Sequence, residues 1–422
     1  MEMPNVEMPT AHSAGLDQLF SFNLSEPVWI LFGLGVLFAC LAITIGWHGP
    51  MIFSSTAVRP VEEDEEADEE VENLAPGMPT EDLPKTSVIV FAQAEEEGLE
   101  CCLGQLMQQV HPDFEVIVVC DGTHESARIL QEHFSTMFPG VYITFIPPGS
   151  HNLSRRKLAI TIGVKAAKGE VILTTETNIL IPSRTWLSDM SRPFKDPSIS
   201  LALGPTRMDF SELKGLGRWY RQFDETLTDA RWIGNAINGA AYRGDGFNLA
   251  FRREVFFRHK GYAGSLYLHS GDDDLFVQEI STSRNTVAVT GLCNLITTYW
   301  YGAANRVWTL RKARYSFTSR WLRKGPFIRA GFASLCQWLV PGFGVAAALL
   351  ALPSLAGIIL ALLLLIIFWG IEIAIYRKIA LRLGAVRLFW ALPLFLMARP
   401  IVNAIFRFDH RESNRKIFTW QR

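Results

Sequence analysis

The feature that most constrains the fold is a stretch of 42 residues, between Arg329 and Glu372, that contains no Asp, Glu, Lys or Arg. A helix needs roughly 20 apolar residues to cross the hydrocarbon core of a bilayer, so this stretch is long enough for two spans. Pro353 and Ser354 mark a turn near its middle. The sequence therefore predicts transmembrane helices over residues 330–352 and 355–376.

A shorter uncharged segment near the N-terminus is rich in Leu, Val, Ile and Phe and predicts a further span over residues 28–48. No Lys or Arg precedes it and no clear small-residue cleavage site follows it, so we expect a retained anchor and not a cleaved signal peptide. A last apolar segment, residues 386–406, is interrupted by Pro393, Arg399 and Pro400. This segment is predicted to be either an interfacial helix or a fourth span.

The cationic residues predict how the chain is oriented. The first 27 residues contain no Lys or Arg, whereas eight cations crowd between Arg306 and Arg329. Cytoplasmic flanks of membrane spans carry the excess of Lys and Arg. We therefore expect a multi-pass protein of the cell inner membrane with residues 1–27 outside. The region between the first two spans and the basic tail, residues 407–422, would be cytoplasmic.

The chain between the first span and the central region has the composition of a linker. Nine carboxylates lie between Glu62 and Glu72, and three prolines follow them. Such a segment cannot bury enough apolar surface to order itself, so residues 59–85 are predicted to be a disordered tether. The six cysteines show no paired metal-binding spacing, which fits reduced thiols in the cytosol.

From Ser87 the pattern changes to short β-branched runs that alternate with helical periods. Strands are predicted over residues 87–91, 115–120, 141–146 and 170–174. Strands that alternate with helices indicate an α/β domain with a mostly parallel, doubly wound sheet, which we place at residues 86–325.

Ligands of such sheets bind beyond the carboxyl ends of the strands. Three polar segments follow predicted strands and become candidates: Ala92-Gln93-Ala94-Glu95, Asp121-Gly122-Thr123 and Thr175-Glu176-Thr177-Asn178. The carboxylate of Asp121 is suited to accept hydrogen bonds from a ribose or a base edge. The alternative is that Asp121 merely caps the next helix.

Three consecutive carboxylates, Asp272, Asp273 and Asp274, stand between apolar residues on both sides. Carboxylates held against apolar surface have shifted pKa values and serve as bases or metal ligands, so this cluster is the best candidate for chemistry. The alternative is that the cluster complements the dipole of a helix beginning near Asp273.

These segments, taken in order, resemble the family 2 glycosyltransferases, which are membrane-associated enzymes. The resemblance runs from Ser87 to about Trp321 and rests on residues 87–97, 114–122, 175–178, 244–251 and 271–276. It implies an A-type glycosyltransferase fold, Rossmann-like with a mostly parallel sheet, as a cytoplasmic domain with N-terminal and C-terminal transmembrane helices.

The resemblance also implies a reaction. A sugar would move, with inversion, from a nucleotide-diphosphate donor to a hydroxyl of a lipid-linked or membrane-near acceptor, in the synthesis of a cell-envelope glycan or glycolipid. UDP-sugars are the family default, membrane lipids are expected partners, and nucleic acid is not.

The same resemblance assigns roles to individual residues. An in-line attack needs a carboxylate to take the hydroxyl proton, and Asp273 is the first choice for this base, with Asp272 and Asp274 as the others. The nucleotide contacts would be Ala92, Gln93, Glu95, Asp121, Lys157 and Thr175. The acceptor contacts would be Gly246, Asn248, Arg311 and Arg314.

The family's Asp-x-Asp metal motif is replaced here by Glu176-Thr177-Asn178. Glu176 and Asn178 both offer oxygen, so Mg²⁺ or Mn²⁺ could bind them with less charge, and metal dependence stays open. The consecutive cations Arg155, Arg156 and Lys157 would instead bring positive charge to the diphosphate, or form a solvated helix face. Lys157 is preferred among them because it matches a lysine common in similar sequences.

Two further departures concern the acceptor side. Processive members carry Gln-x-x-Arg-Trp, which this chain lacks, and three spans are too few for a polymer channel. A polysaccharide synthase and a catalytically inactive nucleotide-binding membrane protein remain the alternatives. The basic-aromatic helix around residues 308–315 resembles that of shorter membrane-anchored members, or contacts lipid headgroups. The apolar stripe of residues 211–235 packs on a core, or contacts acceptor or bilayer.

Overall fold

The computed structural model describes residues 25–55, 82–93, 98–147, 154–266, 268, 270–352, 354–385 and 390–413. The predictions for residues 1–24, for the acidic stretch as far as residue 81, for Glu95 and for the tail beyond residue 413 fall outside these ranges. The chain forms two compact units. One takes in helix α1 (Glu26–Gly46) with residues 325–376 and 390–400, and the other takes in residues 49–324, 377–385 and 401–413.

The second unit contains a sheet of seven strands and a sheet of three. The strands are β1 Thr86–Gln93, β2 Phe114–Asp121, β3 Val141–Phe145, β4 Val171–Glu176, β5 Ile179–Leu180, β6 Leu201–Leu203, β7 Thr206–Met208, β8 Leu249–Arg252, β9 Thr286–Ala288 and β10 Ile296–Thr298. The helices after α1 are α2 His48–Ser55, α3 Gly98–Met107, α4 His124–Met137, α5 Arg155–Ala166, α6 Trp186–Ser191, α7 Gly215–Ile237, α8 Arg253–Arg258, α9 Asp274–Ile280, α10 Ala304–Thr318, α11 Lys324–Leu350, α12 Leu355–Arg382 and α13 Leu392–Ser413.

The larger sheet has the order β3-β2-β1-β4-β8-β6-β9. Its pairs are parallel except for those of β8, which runs antiparallel to both β4 and β6. The prediction of a mostly parallel α/β sheet is therefore confirmed. Gln93 pairs with Asp121 and Phe91 pairs with Glu176, so the carboxyl ends of β1, β2 and β4 meet at one edge.

Helices cover both faces of the larger sheet. Val88 and Val90 of β1 belong to a buried cluster that includes Leu103 of α3. Ile89, between them, faces the other way and meets α5, where a Cβ added at Gly163 would lie 2.6 Å from Ile89 Cγ2. Burial on both faces explains why the parallel strands are continuously apolar in sequence.

The smaller sheet, with the order β5-β10-β7, lies in the same unit as α10 and the second half of α13. Met208 of β7 packs with Trp308 of α10, and Val402 and Phe406 of α13 pack against them. The Trp308 and Phe406 ring centroids are 5.6 Å apart in an edge-to-face arrangement. The last helix from Ile401 onward is thus part of this second unit.

The other unit is built from the long apolar helices. Helices α1, α11 and α12 are each long and apolar enough to cross a membrane, which indicates membrane association. Helix α13 is not among the helices of the described residues that meet this criterion, and both alternatives for the segment 386–406 stay predictions. The fully buried carboxylate of Glu372 accepts hydrogen bonds from Trp47 Nε1 at 2.5 Å and from Gln337 Nε2 at 3.3 Å, which ties the three helices together.

Candidate active site

Unpartnered polar atoms lie at the carboxyl end of β4. The side-chain oxygens Thr175 Oγ1, Thr177 Oγ1 and Asn178 Oδ1 are buried, and they have no hydrogen-bond partner in the described structure. Asn178 is held by its other atom, because Nδ2 donates to the carbonyl oxygen of Tyr299 at 3.2 Å. Buried polar groups in proteins are almost always satisfied by protein, water or ligand. This edge of the sheet is therefore a candidate binding site.

Arg156 joins β4 to the aspartate cluster. Its guanidinium, 3% exposed, donates from Nη1 to Glu176 Oε1. On its other side Nε lies 2.8 Å from Asp272 Oδ2, in an ion pair whose geometry falls short of a hydrogen bond. Two carboxylates far apart in sequence thus share one cation. Burial disfavours the charge of Arg156, but Glu176 and Asp272 hold the pKa of its guanidinium above the ordinary value.

The three aspartates of the cluster are all buried, but they have different partners. Asp273 caps α9: its Oδ1 accepts from the backbone N–H of Asp274 at 2.7 Å, and its Oδ2 accepts from Arg314 Nη2. Asp274 accepts from the hydroxyl of Thr318. The helix-terminus alternative thus describes Asp273 well, whereas Asp272 turns toward Arg156.

Burial and nearby charges shift the pKa values of two of these carboxyls in opposite directions. Burial would raise the pKa of Asp272, but the positive charges of Arg156, Arg314 and Lys157 outweigh it and hold the pKa below the ordinary value. Burial, with the negative charge of Asp273, raises the pKa of Asp274 to about 6. Asp272 is therefore the more readily ionised of the two at neutral pH.

Lys157 holds the loop that leads into the cluster. Its ammonium is 1% exposed and donates to the backbone carbonyl oxygens of Ser265, Leu268 and Ser270 at 2.7, 2.9 and 2.9 Å. Tyr262 supports the same region by donating to the carbonyl oxygen of Asp272 at 3.2 Å. Lys157 thus fixes the backbone in front of Asp272, and the nucleotide contact expected of it stays a prediction.

The neighbouring cation Arg155 pairs with Asp121 at the end of β2, with 3.0 Å between Arg155 Nε and Asp121 Oδ1. Helix α4 is capped by Thr123, whose side chain accepts from the backbone N–H of Ser126, so Asp121 is not the cap. The alternative of a solvated face for residues 155–157 is wrong, because Arg156 and Lys157 are buried and Arg155 is paired.

Residues 87–257 match the model of glycosyl transferase family 2. The protein is a glycosyltransferase with a family 2 domain. The matched range covers β1 to β8 and so includes Asp121, Arg156 and Glu176. The roles of Asp272, Asp273 and the residues of α10 lie beyond it and rest on their geometry.

Solved structures with distant similarity include a mannosyltransferase. The mannosyltransferase PcManGT from Pyrobaculum calidifontis, in complex with GDP-Man and Mn²⁺, is 16% identical, covers 90% of this chain and 100% of its own, and has a TM-score of 0.49. TarS from S. aureus is 13% identical, with 78% of this chain and 55% of its own covered and a TM-score of 0.37. Both TM-scores lie below 0.5. A search of curated proteins finds no significant match.

The divalent cation that the family implies does not fit the residues of this glycosyltransferase. Mg²⁺ and Mn²⁺ favour carboxylate oxygens, and Glu176 is the one carboxylate of the segment 175–178. Its Oε1 and the nearby Asp272 Oδ2 both face the Arg156 guanidinium. The described residues contain no group of three or more His, Cys, Asp or Glu that could hold a metal. A cation would have to displace a buried positive charge.

The residues predicted to contact the acceptor lie in different surroundings. Arg314 reaches Asp273, and Arg311 reaches Asp245, which also accepts from Thr206 Oγ1 at 2.5 Å. Both arginines are partly buried and bring the basic helix α10 to the glycosyltransferase site. Gly246 faces inward, where a Cβ would lie 2.7 Å from Arg156 Nη2.

Asn248 is completely buried. It accepts from Trp186 Nε1 at 3.0 Å and donates to the carbonyl oxygens of Pro205 and Asn294 at 2.9 and 2.8 Å. In this conformation it ties core segments together and has no surface for an acceptor. Of the nucleotide candidates, Ala92 is buried in β1, and the side chain of Gln93 falls outside the described part of the chain.

Sequence reasoning missed the central position of Arg156 and the role of Asp245. The signal for Arg156 was present, since consecutive helical residues point about 100° apart and three adjacent cations cannot share one solvated face. Asp245 gave no such signal, because an Asp between two glycines is typical of an exposed turn.

Proposed function

We propose that this glycosyltransferase moves a sugar, with inversion, from a nucleotide-diphosphate donor to a hydroxyl group of a lipid-linked or membrane-near acceptor, in cell-envelope glycan or glycolipid synthesis. One observation carries the proposal. Glu176 and Asp272, which are far apart in the sequence, share Arg156 beside the unpartnered oxygens of Thr175, Thr177 and Asn178. This joins a binding edge to an ionised carboxylate.

Asp272 is the base in this proposal, in preference to Asp273. Both oxygens of Asp273 are engaged, by the backbone of Asp274 and by Arg314. Asp272 has the lowered pKa of an ionised carboxylate and lies on the side of Glu176. It would take the proton of the acceptor hydroxyl while that oxygen attacks the anomeric carbon. The bond from that carbon to the diphosphate oxygen breaks, and the nucleoside diphosphate leaves with the electron pair.

The donor would bind across the ends of β1, β2 and β4. Asp121 ends β2 and Thr175 lies near the end of β4, and the strand register brings these ends to one edge. The hydroxyl groups of a ribose need hydrogen-bond acceptors there, and the oxygens of a diphosphate need neutral donors. The unpartnered Asn178 Oδ1 can accept, and the threonine hydroxyls can donate. A UDP-sugar is the proposed donor. Arg311 and Arg314 of α10 would border the acceptor.

Attachment to the membrane follows from the long apolar helices α1, α11 and α12. We place the catalytic domain on the cytoplasmic face of the inner membrane, because the cations flanking the spans favour that side. Lipids of that leaflet would meet the basic residues near the spans. A lipid-linked acceptor would then lie at the same membrane face as the catalytic domain.

A donor panel tests the proposal. The full-length protein in detergent with added lipid extract is incubated with UDP- and GDP-sugars, and nucleoside diphosphate release is measured. Release that depends on the lipid extract and an extracted product of inverted anomeric configuration by NMR are expected. Lack of release with every donor, while the protein remains folded by circular dichroism, would refute the proposed activity.

A further inference from the structure

We propose that Arg156 takes the place of the divalent cation in this site, so that sugar transfer here proceeds without a metal. The proposal deepens the proposed function and rests on it for the rate of transfer alone. Metal binding by the same residues can be measured separately, without any enzymatic activity.

The first support is where the guanidinium lies. It stands between the carboxylate of Glu176, in the segment that replaces the family's metal motif, and the carboxylate of Asp272. Glu176 is the one carboxylate of the segment 175–178, and Asp272 is the carboxylate on the other side of Arg156. Each has one oxygen directed at Arg156, so one of the two negative charges is already compensated by a group that the chain itself supplies.

The second support is that the surroundings are shaped for a guanidinium. The ring of Phe247 lies on one side, with its centroid 5.2 Å from Arg156 Cζ, which is within the range of a cation–π contact. On another side stands Gly246, where any Cβ would come within 2.7 Å of Nη2. The two edges are taken by carboxylates and the side chain is 3% exposed. A surface arginine that had swung into an open metal site would not be enclosed in this way.

The third support is chemical. A nucleoside diphosphate carries negative charge, and bare carboxylates at its binding edge would repel it. In metal-dependent sites the cation bridges carboxylates and phosphates. Here a fixed cation offsets one of the two negative charges before the donor arrives, and the oxygens left for ligand contact, of Thr175, Thr177 and Asn178, are neutral. Arg156 is therefore a positioning residue that holds Glu176 and Asp272 and sets the charge of the site.

The test begins with Mn²⁺ alone. The full-length wild-type protein is titrated with Mn²⁺, and free Mn²⁺ is followed by electron paramagnetic resonance, with and without UDP. We expect no binding site tighter than about 1 mM, the affinity of the weakest protein sites for hard cations. Binding of one Mn²⁺ per chain that disappears in Glu176→Gln would overturn the proposal. This measurement does not depend on any enzymatic activity.

The second arm uses turnover and variants. Nucleoside diphosphate release by the wild type should change less than about twofold when EDTA replaces Mn²⁺, since a true metal cofactor contributes several kcal/mol. Arg156→Met should lower release about 100-fold, as loss of one preorganised donor does. Arg156→Lys should recover part of it. Arg156→Met should also gain Mn²⁺ binding, whereas Arg155→Met, the neighbouring matched control, should bind no Mn²⁺.

The outcomes separate the two hypotheses. Abolition of wild-type release by EDTA, with recovery on adding Mn²⁺, would overturn metal independence and leave the proposed function standing. An Arg156→Met variant that neither loses turnover nor gains Mn²⁺ binding would also overturn it. Lack of release with any donor would remove the proposed function, and the Mn²⁺ titration would still decide what occupies the site.

Discussion

Gly246→Ala tests whether the Arg156 guanidinium is enclosed as the structure shows. The new Cβ would lie 2.7 Å from Arg156 Nη2, whereas ordinary contacts begin at 3.4 Å, so the two groups must separate by the difference, 0.7 Å. Glu176, Asp272 and Phe247 surround the guanidinium and leave it little room to move. Overpacking of a closed site costs about 1–3 kcal/mol.

For a domain of this size, that cost corresponds to a lowering of the unfolding midpoint by about 4–8 °C if the loss is about 2 kcal/mol. The assay is thermal unfolding of the full-length protein in detergent, followed by tryptophan fluorescence at one scan rate. Donor turnover of the same variant should fall as well, because the displaced guanidinium no longer holds both carboxylates.

Gly104→Ala is the matched control. Gly104 lies inside α3, and a Cβ there would meet no atom within 4 Å. The substitution should stabilise the protein by about 0.5–1 kcal/mol, because glycine is a poor helix former. If Gly246→Ala kept both the midpoint and the turnover of the wild type, the enclosure of Arg156 would be refuted.

Three further substitutions probe other parts of the account. Lys157→Met frees three buried carbonyls of the loop before Asp272, and kcat should fall about 10–100-fold with less effect on donor KM. Burial raises the pKa of Glu225 to about 7 and of Asp229 to about 8, so the folded chain keeps protons that the unfolded chain loses. Stability should therefore fall as pH rises from about 4 to 8, and Asp229→Asn should flatten that slope in unfolding curves. Asn248→Ala should cost about 2–4 kcal/mol in unfolding experiments and leave acceptor KM unchanged.

Much of the fold could be predicted because the longer strands are buried on both faces. The apolar runs at residues 87–91 and 115–120 appear as β1 and β2, which extend one or two residues further. The three-residue strands β6, β7, β9 and β10 were not predicted. A strand of that length carries no periodicity that distinguishes it from a loop.

The sequence predicts which segments form the site, but it does not predict which side chains pair with one another there. Asp272 and its neighbours stood out because carboxylates between apolar residues are unusual. The partner of each was hidden, since Lys157 meets the carbonyl of Ser270 at a separation of 113 residues and Arg314 meets Asp273 at 41. Such contacts depend on the tertiary fold, so a local pattern cannot tell which aspartate faces the ligand and which caps a helix.

Asp272 is the proposed base of a sugar transfer at the end of β4. The most direct test compares Asp272→Asn with Asp273→Asn in nucleoside diphosphate release, with exposed Asp113→Asn as control. We predict that Asp272→Asn lowers kcat about 10²–10⁴-fold while donor affinity is kept, as expected for a lost general base. Asp273→Asn should mainly lower the unfolding midpoint. A kcat for Asp272→Asn equal to that of the wild type, or a larger kcat loss in Asp273→Asn, would contradict the claim.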